Sequence, residues 1–206
     1  MTAKSTPILL LATNNLGKLE EMHNLLADLE GWKLTSPDQL GLNLIVEETG
    51  SSYRENAALK ARAFAEASGQ VALADDSGLE LEALNGAPGL YSARYSPKKN
   101  AMAADRRHYL LSQLEGHSRP WLARFISTVC LAPPGGELQF AEGECLGEII
   151  PKERGDFGFG YDPIFAVEGT GKTMAELTMP EKNKLSHRAL AIEAVKAQLR
   201  ALSAQP

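Results

Sequence analysis

Apolar positions along the chain follow two rhythms. Pro7 to Thr13 is a short, almost wholly apolar run, and Val71 to Asp75 is another. Runs of this length and composition fill strands of a sheet covered on both faces. After the first run comes a polar turn, Asn14-Asn15-Leu16-Gly17-Lys18, and then Leu19, Met22, Leu25, Leu26 and Leu29 at helical spacing. Asn14 or Asn15 is a natural N-cap for that helix. A second helix follows Gly50, with a Ser52/Glu55 capping box, an apolar face of Tyr53, Ala57, Ala61 and Phe64, and Gly69 as its end. Lys33 to Leu44 is weakly patterned and reads as a short strand and loop.

The second half has its own pattern. Asn100 to Gly116 reads as a helix with Met102, Tyr109, Leu110 and Leu114 inward and a solvated charged face at Asp105-Arg106-Arg107-His108. Trp121 to Ala132 and Leu138 to Ile150, the latter split near Gly143, read as strands joined by a hairpin at Pro133-Pro134-Gly135-Gly136. Pro180 suits the first turn of a last helix with Leu190, Ile192, Val195, Leu199 and Leu202 as its packing stripe.

Composition narrows the function classes. At 206 residues and 44% hydrophobic the chain suits one soluble domain, spanning 1–206, with a full core. A net charge of -5 argues against general affinity for nucleic acid or anionic membrane. Yet Lys18, Lys60, Arg94, Lys182 and Arg188 fall inside the motif-like stretches, as a pocket for a small anion would require. Cys130 and Cys145 match no metal spacing and are too few for a disulfide framework, which favours a reducing cytoplasm. The N-terminal apolar run is too short for a signal peptide or membrane span.

Several stretches carry chemistry. Asp75 and Asp76 are adjacent carboxylates at a strand end, followed by Ser77 and Gly78. They read either as a hydrated turn or as part of a metal–phosphate site, where a cation would relieve their repulsion. A strand running through residues 13–18 into a helix presents amides and a positive dipole end, and Lys18 in that first turn opposes the dipole unless an anion arrives. Glu47 and Glu48 precede the second helix, where the dipole alone accounts for them, and Asn56 and Lys60 share a face of that helix at i,i+4. Gly155 to Pro163 interleaves glycines with Phe157, Phe159 and Tyr161, as suits a loop whose backbone approaches a ligand while a ring stacks on a base. Lys182, Ser186, His187 and Arg188 crowd the start of the last helix. Gly169 to Thr173 ends like a phosphate-binding loop, but Ala166 stands where that motif needs glycine.

LATNNLGK (Leu11 to Lys18), EETGSSYRENAALKA (Glu47 to Ala61), ALADDSGLE (Ala72 to Glu80), GAPGLYSARYS (Gly86 to Ser96), FGYDPIF (Phe159 to Phe165) and AELTMPEKNKLSHR (Ala175 to Arg188) together resemble the inosine triphosphate pyrophosphatase family, in its order. Asn14 stands where other members can have glycine. The resemblance implies an α/β fold with two lobes, a long mixed β-sheet flanked by helices and a nucleotide cleft between the lobes. It implies a homodimer and Mg2+-dependent hydrolysis of non-standard purine nucleoside triphosphates (ITP, dITP, XTP) to the monophosphate and pyrophosphate, a house-cleaning activity. It assigns Asp76 as proton acceptor and metal ligand, and Glu47 as the other metal carboxylate. Thr13, Asn14, Asn15, Leu16, Gly17 and Lys18 match the triphosphate loop. Ser77, Phe159, Gly160, Tyr161, Asp162, Lys182, His187 and Arg188 match further substrate contacts. The competing expectations are a pyrophosphatase of other modified or standard dNTPs, and a nucleotide-binding module without catalysis.

Overall fold

The structure, a computed structural model, describes residues 6–203, so the reading of the N-terminal segment can be followed only from residue 6. Its strands are β1 (Ile8–Leu11), β2 (Lys33–Thr35), β3 (Val71–Leu81), β4 (Pro88–Gly89), β5 (Trp121–Ala132), β6 (Gln139–Ile149) and β7 (Phe165–Val167). Its α-helices are α1 (Leu16–Leu25), α2 (Tyr53–Ser68), α3 (Ala103–Gln113), α4 (Met179–Leu185) and α5 (His187–Ser203). The strands form one mixed sheet in the order β2-β1-β3-β5-β6-β7, with β4 paired to β3. β1 runs parallel to β2 and β3, whereas β4 and β7 are antiparallel to β3 and β6. The expected α/β class with a mixed sheet and flanking helices is what the chain adopts.

Two compact units divide the chain. The first comprises Met1–Asp76, Ser127–Gly143 and Arg188–Pro206, and the second Ser77–Ile126 and Glu144–His187. In the first unit the all-apolar β1 run has a direct cause. Leu9 and Leu11 pack with Met22, Leu26, Val129, Ile192 and Leu199, while Leu10 and Ala12 pack with Ala57, Ala61, Phe64 and Cys130. Alternate side chains of one strand thus feed two cores, so no polar position survives along it. Burying each such leucine contributes about 1.5–3 kcal/mol. Trp32 closes the first core and donates its Nε1–H to the Leu199 carbonyl at 2.9 Å.

The second unit has a separate core of Leu79, Leu81, Leu110, Leu114, Phe125, Ile149 and Phe165, among others. β6 is continuous through Gly143, where the sequence pattern suggested a split. The turn at Gly169 to Thr173 reverses the chain. Val167 N–H donates to the Lys172 carbonyl at 2.9 Å, and Ala166 pairs antiparallel with Thr173. That stretch is a tight turn leading only into a single 3-10 turn, Met174–Glu176, and not into a long helix, in keeping with the rejected phosphate-loop reading.

One expectation changes in kind. The single last helix expected from Pro180 onward is two helices, because Ser186 is extended (φ −70°, ψ 149°) between α4 and α5. Lys182 and Ser186 therefore do not share one continuous helical face, and α5 begins at His187.

Candidate active site

β3 organises the chemistry of the first unit. The sequence pattern ended this strand at Asp75, but the strand runs through both acids to Leu81. Successive side chains of a strand point to opposite faces, so the two neighbours meet different partners.

Asp75 is fully buried. Its Oδ1 accepts from Ser127 Oγ at 2.5 Å, and its Oδ2 accepts from Arg188 Nη2 at 3.1 Å and Nε at 3.3 Å. Lys18 Nζ lies 2.8 Å from the same Oδ2, and Arg188 Nη1 is paired with Glu21 Oε2. Burial pushes the Asp75 carboxyl up, but Arg188 and Lys18 outweigh it and hold the group well below the ordinary carboxylate range. Burial, with repulsion from Lys60 and Arg188, lowers Lys18 despite the attraction of Asp75.

Asp76 meets α2. Its Oδ1 accepts from Lys60 Nζ at 2.8 Å and its Oδ2 from Asn56 Nδ2 at 3.3 Å. The same Lys60 ammonium lies 2.7 Å from Glu48 Oε1. Burial raises the Asp76 carboxyl, a nearby Glu48 adds to that, and Lys60 offsets only part of it. Lys60 itself is raised, since Asp76 and Glu48 outweigh its desolvation. Asn56 is oriented by Gly50, whose N–H donates to Asn56 Oδ1 at 2.8 Å. A Cβ on Gly50 would sit 2.7 Å from that oxygen, so the close approach needs glycine. The expected i,i+4 pair Asn56/Lys60 therefore converges on one carboxylate.

The residues at the start of α1 behave as their types dictate. Asn15 caps the helix, its side chain accepting from Lys18 N–H at 3.2 Å, and its own N–H donates to Thr13 Oγ1 at 3.1 Å. Asn14 Nδ2 donates to the Leu44 carbonyl at 2.9 Å, while Leu16 is exposed. Glu47 is exposed on the irregular segment leading to α2, one residue before Glu48.

The second unit holds the other predicted residues. Lys182 and Asp162 are both buried, and their Nζ and Oδ2 are 2.6 Å apart. That Oδ2 also accepts from Phe159 N–H at 3.0 Å, and Lys182 Nζ lies 5.5 Å from the Phe159 ring centre. Gly158 has φ +75°, and a Cβ there would clash with the Asp162 carboxylate. Tyr161 is buried and donates its hydroxyl to the Ser92 carbonyl at 2.9 Å. His187 is buried with its ring stacked on Phe125, 4.8 Å between centres and 16° between planes. Ser77, half-buried, continues β3 on the second unit's side of the division.

Glu21, Ser127 and Arg107 were missed. Glu21 had a signal, an acid on the helix face that carries Met22 and Leu25. Ser127 had none beyond standing, with Thr128, just before the apolar run Val129 to Ala132. Arg107, expected in a solvated face, donates Nη1–H to the Gly160 carbonyl at 2.8 Å and pairs with Glu153 through Nε at 2.8 Å and Nη2 at 2.9 Å.

An α/β chain with a buried carboxylate, a lysine bridging two acids and a glycine-rich aromatic loop has the parts of a phosphate-ester or anhydride hydrolase. The Ham1 family pattern matches residues 9–198, and the chain belongs to that family. It is 48% identical over 187 residues to a dITP/XTP pyrophosphatase of Deinococcus deserti, covering 91% of this chain and 86% of that protein. It is 50% identical to a dITP/XTP pyrophosphatase of Synechocystis, over 88% of this chain and 90% of that one. A solved HAM1 protein from Coxiella burnetii superimposes with a TM-score of 0.84 at 42% identity, covering 95% of this chain and 99% of that one.

Proposed function

We propose that this chain is a nucleoside triphosphate pyrophosphatase that hydrolyses non-standard purine nucleoside triphosphates, ITP, dITP and XTP, to the monophosphate and pyrophosphate. The observation that carries the reading is the Glu48–Lys60–Asp76 arrangement on a chain 48% identical to a dITP/XTP pyrophosphatase. Asp76 takes the proton of the attacking water. A carboxylate raised by burial is a better proton acceptor than an ordinary one, and Asn56 and Lys60 hold its orientation. The water attacks the α-phosphorus, and the α–β bridging oxygen leaves with pyrophosphate. The amides at the start of α1 and the lysine side chains Lys18 and Lys182 balance charge on the phosphoryl groups. Thr13, Asn14, Asn15, Leu16 and Gly17 complete that loop, with Ser77 as a further substrate contact.

The donor set fits a divalent metal, and we take it to be Mg2+. Lys60 already places one positive charge within 2.8 Å of Asp76 and 2.7 Å of Glu48, so these carboxylates accommodate a cation between them. Among the described residues no group of three or more His, Cys, Asp or Glu side chains is assembled for a metal. Mg2+ is commonly held by one or two carboxylates plus substrate phosphates, and such a set needs no more. Asp76 and Glu47 are the carboxylates the resemblance assigns, and Glu48 is the one the geometry presents. When bound, the metal supplies charge neutralisation to the phosphates.

Phe159 stacks on the purine, within the loop Phe159-Gly160-Tyr161-Asp162. His187 favours an acceptor at the purine 6-position, which hypoxanthine and xanthine offer and adenine does not. A hydrogen-bonding site of this kind discriminates by about 10^4. Arg188, whose guanidinium is held by Asp75 and Glu21, is the further substrate contact that the resemblance assigns. A homodimer and a cytoplasmic location complete the proposal. The two cysteines, both free and buried, support a reducing compartment.

The test is the inorganic product. With ITP and Mg2+, pyrophosphate is expected in amounts equal to the inosine monophosphate formed, and ATP is expected to turn over far more slowly. Orthophosphate as the primary product, or ATP consumed as fast as ITP, overturns the assignment.

A further inference from the structure

We propose that Arg107 is a positioning residue for the purine-binding loop, a role that rests on the reading of Phe159 to Asp162 as that loop. Beside the Lys182–Asp162 pair, side-chain hydrogen bonds hold this segment at three points. Asp162 accepts from the Phe159 amide at 3.0 Å, Tyr161 donates to Ser92 at 2.9 Å, and Arg107 donates to the Gly160 carbonyl at 2.8 Å. The first two come from residues of the loop itself. Of these three, Arg107 is the one whose donor comes from outside the loop, on α3, and it takes hold of the backbone, where Lys182 on α4 holds the Asp162 side chain.

Its position follows from the helix. Leu110 and Leu114 seat α3 in the second unit's core, and Arg107 lies one turn before Leu110 on that same face. The Arg107 side chain is only 12% exposed, and Glu153 grips its guanidinium in a bidentate pair, Nε to Oε1 at 2.8 Å and Nη2 to Oε2 at 2.9 Å. Two of its nitrogens are thereby fixed and the third is aimed at Gly160. A flat fork held on one edge presents its remaining donor in a fixed direction, which a lysine cannot reproduce. Gly160 lies between Phe159 and Tyr161 with φ +63°, a conformation that leaves the backbone free to pivot unless its carbonyl is held. Arg107 supplies that hold, and so sets the attitude of the Phe159 ring without touching the substrate. Glu153 acts one step further back, by fixing the fork.

The experiment compares Arg107→Ala, Arg107→Lys and Glu153→Gln with Phe159→Ala and with the Arg107→Ala/Phe159→Ala double variant. The readouts are KM and kcat for ITP, and competitive inhibition by inosine monophosphate and by inorganic tripolyphosphate. Loss of one positioning hydrogen bond is expected to raise KM about tenfold in Arg107→Ala, with kcat within about twofold. Inhibition by inosine monophosphate should weaken in parallel, while tripolyphosphate inhibits as before. Arg107→Lys should fall between wild type and Arg107→Ala, and Glu153→Gln should resemble Arg107→Lys. In the double variant the Arg107 change should add nothing to the Phe159 change.

If Phe159→Ala raises KM and the Arg107 variants do not, the inference about Arg107 fails while the loop assignment stands. If Phe159→Ala also leaves KM unchanged, the loop assignment itself fails. Equal weakening of inosine monophosphate and tripolyphosphate would make Arg107 a general structural support and overturn the proposal. Should Arg107→Ala not fold, Arg107→Lys and Glu153→Gln decide by the same KM and inhibition readouts.

Discussion

Asp75→Asn and Asp76→Asn change neighbouring residues by the same single atom group, yet the structure predicts opposite outcomes. Asp75 sits at 1% exposure against Arg188 and Lys18, and the fold holds its carboxyl well below the ordinary value of 3.8, so its charge is favoured on balance. Removing that charge leaves the Arg188 guanidinium buried with Glu21 as its carboxylate partner, and strips Lys18 of its 2.8 Å partner. Breaking a buried pair from one side costs about 3–5 kcal/mol. For a chain of this size that corresponds to a melting temperature lower by about 6–20 °C. Asp76 is raised by burial, so its charge is disfavoured on balance, and Glu48 still holds Lys60 at 2.7 Å when Asn replaces it. Asp76→Asn is therefore expected within about 1 kcal/mol of wild type in stability, with turnover of ITP nearly abolished. Thermal and urea unfolding at pH 7, followed by far-UV circular dichroism, gives the stabilities, and pyrophosphate release gives kcat. The reasoning fails if Asp75→Asn unfolds with the wild type, or if Asp76→Asn loses as much stability as Asp75→Asn or keeps wild-type kcat.

Three further outcomes are expected. Because the folded pKa of Asp75 lies below its ordinary 3.8, its contribution to stability is complete above about pH 5 and is lost as pH falls through the folded value; Asp75→Asn should flatten the acid limb of a stability–pH curve. Glu47→Gln and Glu48→Gln separate the two candidate metal carboxylates: the true ligand's variant should weaken Mn2+ binding about tenfold or more, by titration in the presence of inosine monophosphate and pyrophosphate, and the other should not. Burial pushes the thiols up, Cys130 to about 12 and Cys145 to about 11, so neither should react with a thiol reagent at pH 8 until the protein is unfolded; rapid labelling of the native protein would contradict that burial.

What could be read from the residues was mostly what neighbours in sequence decide. The apolar run of β1, the Asn15 cap, the Gly69 helix end and the i,i+4 pair Asn56/Lys60 all express local geometry, and the fold keeps each of them. The misreadings arise where distant partners decide. β3 does not stop at its acids, because Lys18, Arg188 and Ser127 on one face and Lys60 and Asn56 on the other satisfy both carboxylates within the strand. Arg107 looked like a hydrated helix face because Glu153 lies 46 positions away. Ser186 showed no breaker residue at all; its extended backbone ends α4 and starts α5.

That joint at Ser186 has a consequence for how the chain tolerates change. A continuous helix would transmit any added or deleted residue as a rotation of about 100° to everything downstream. With an extended residue there, the heading of Arg188 is set by the stripe Ala191, Ile192, Val195 and Leu199 seated in the first unit's core and by its pairs with Asp75 and Glu21. Lengthening or trimming the segment before the joint should therefore leave the arginine pointing where it does, and the two stretches can drift apart in sequence without dragging each other out of alignment.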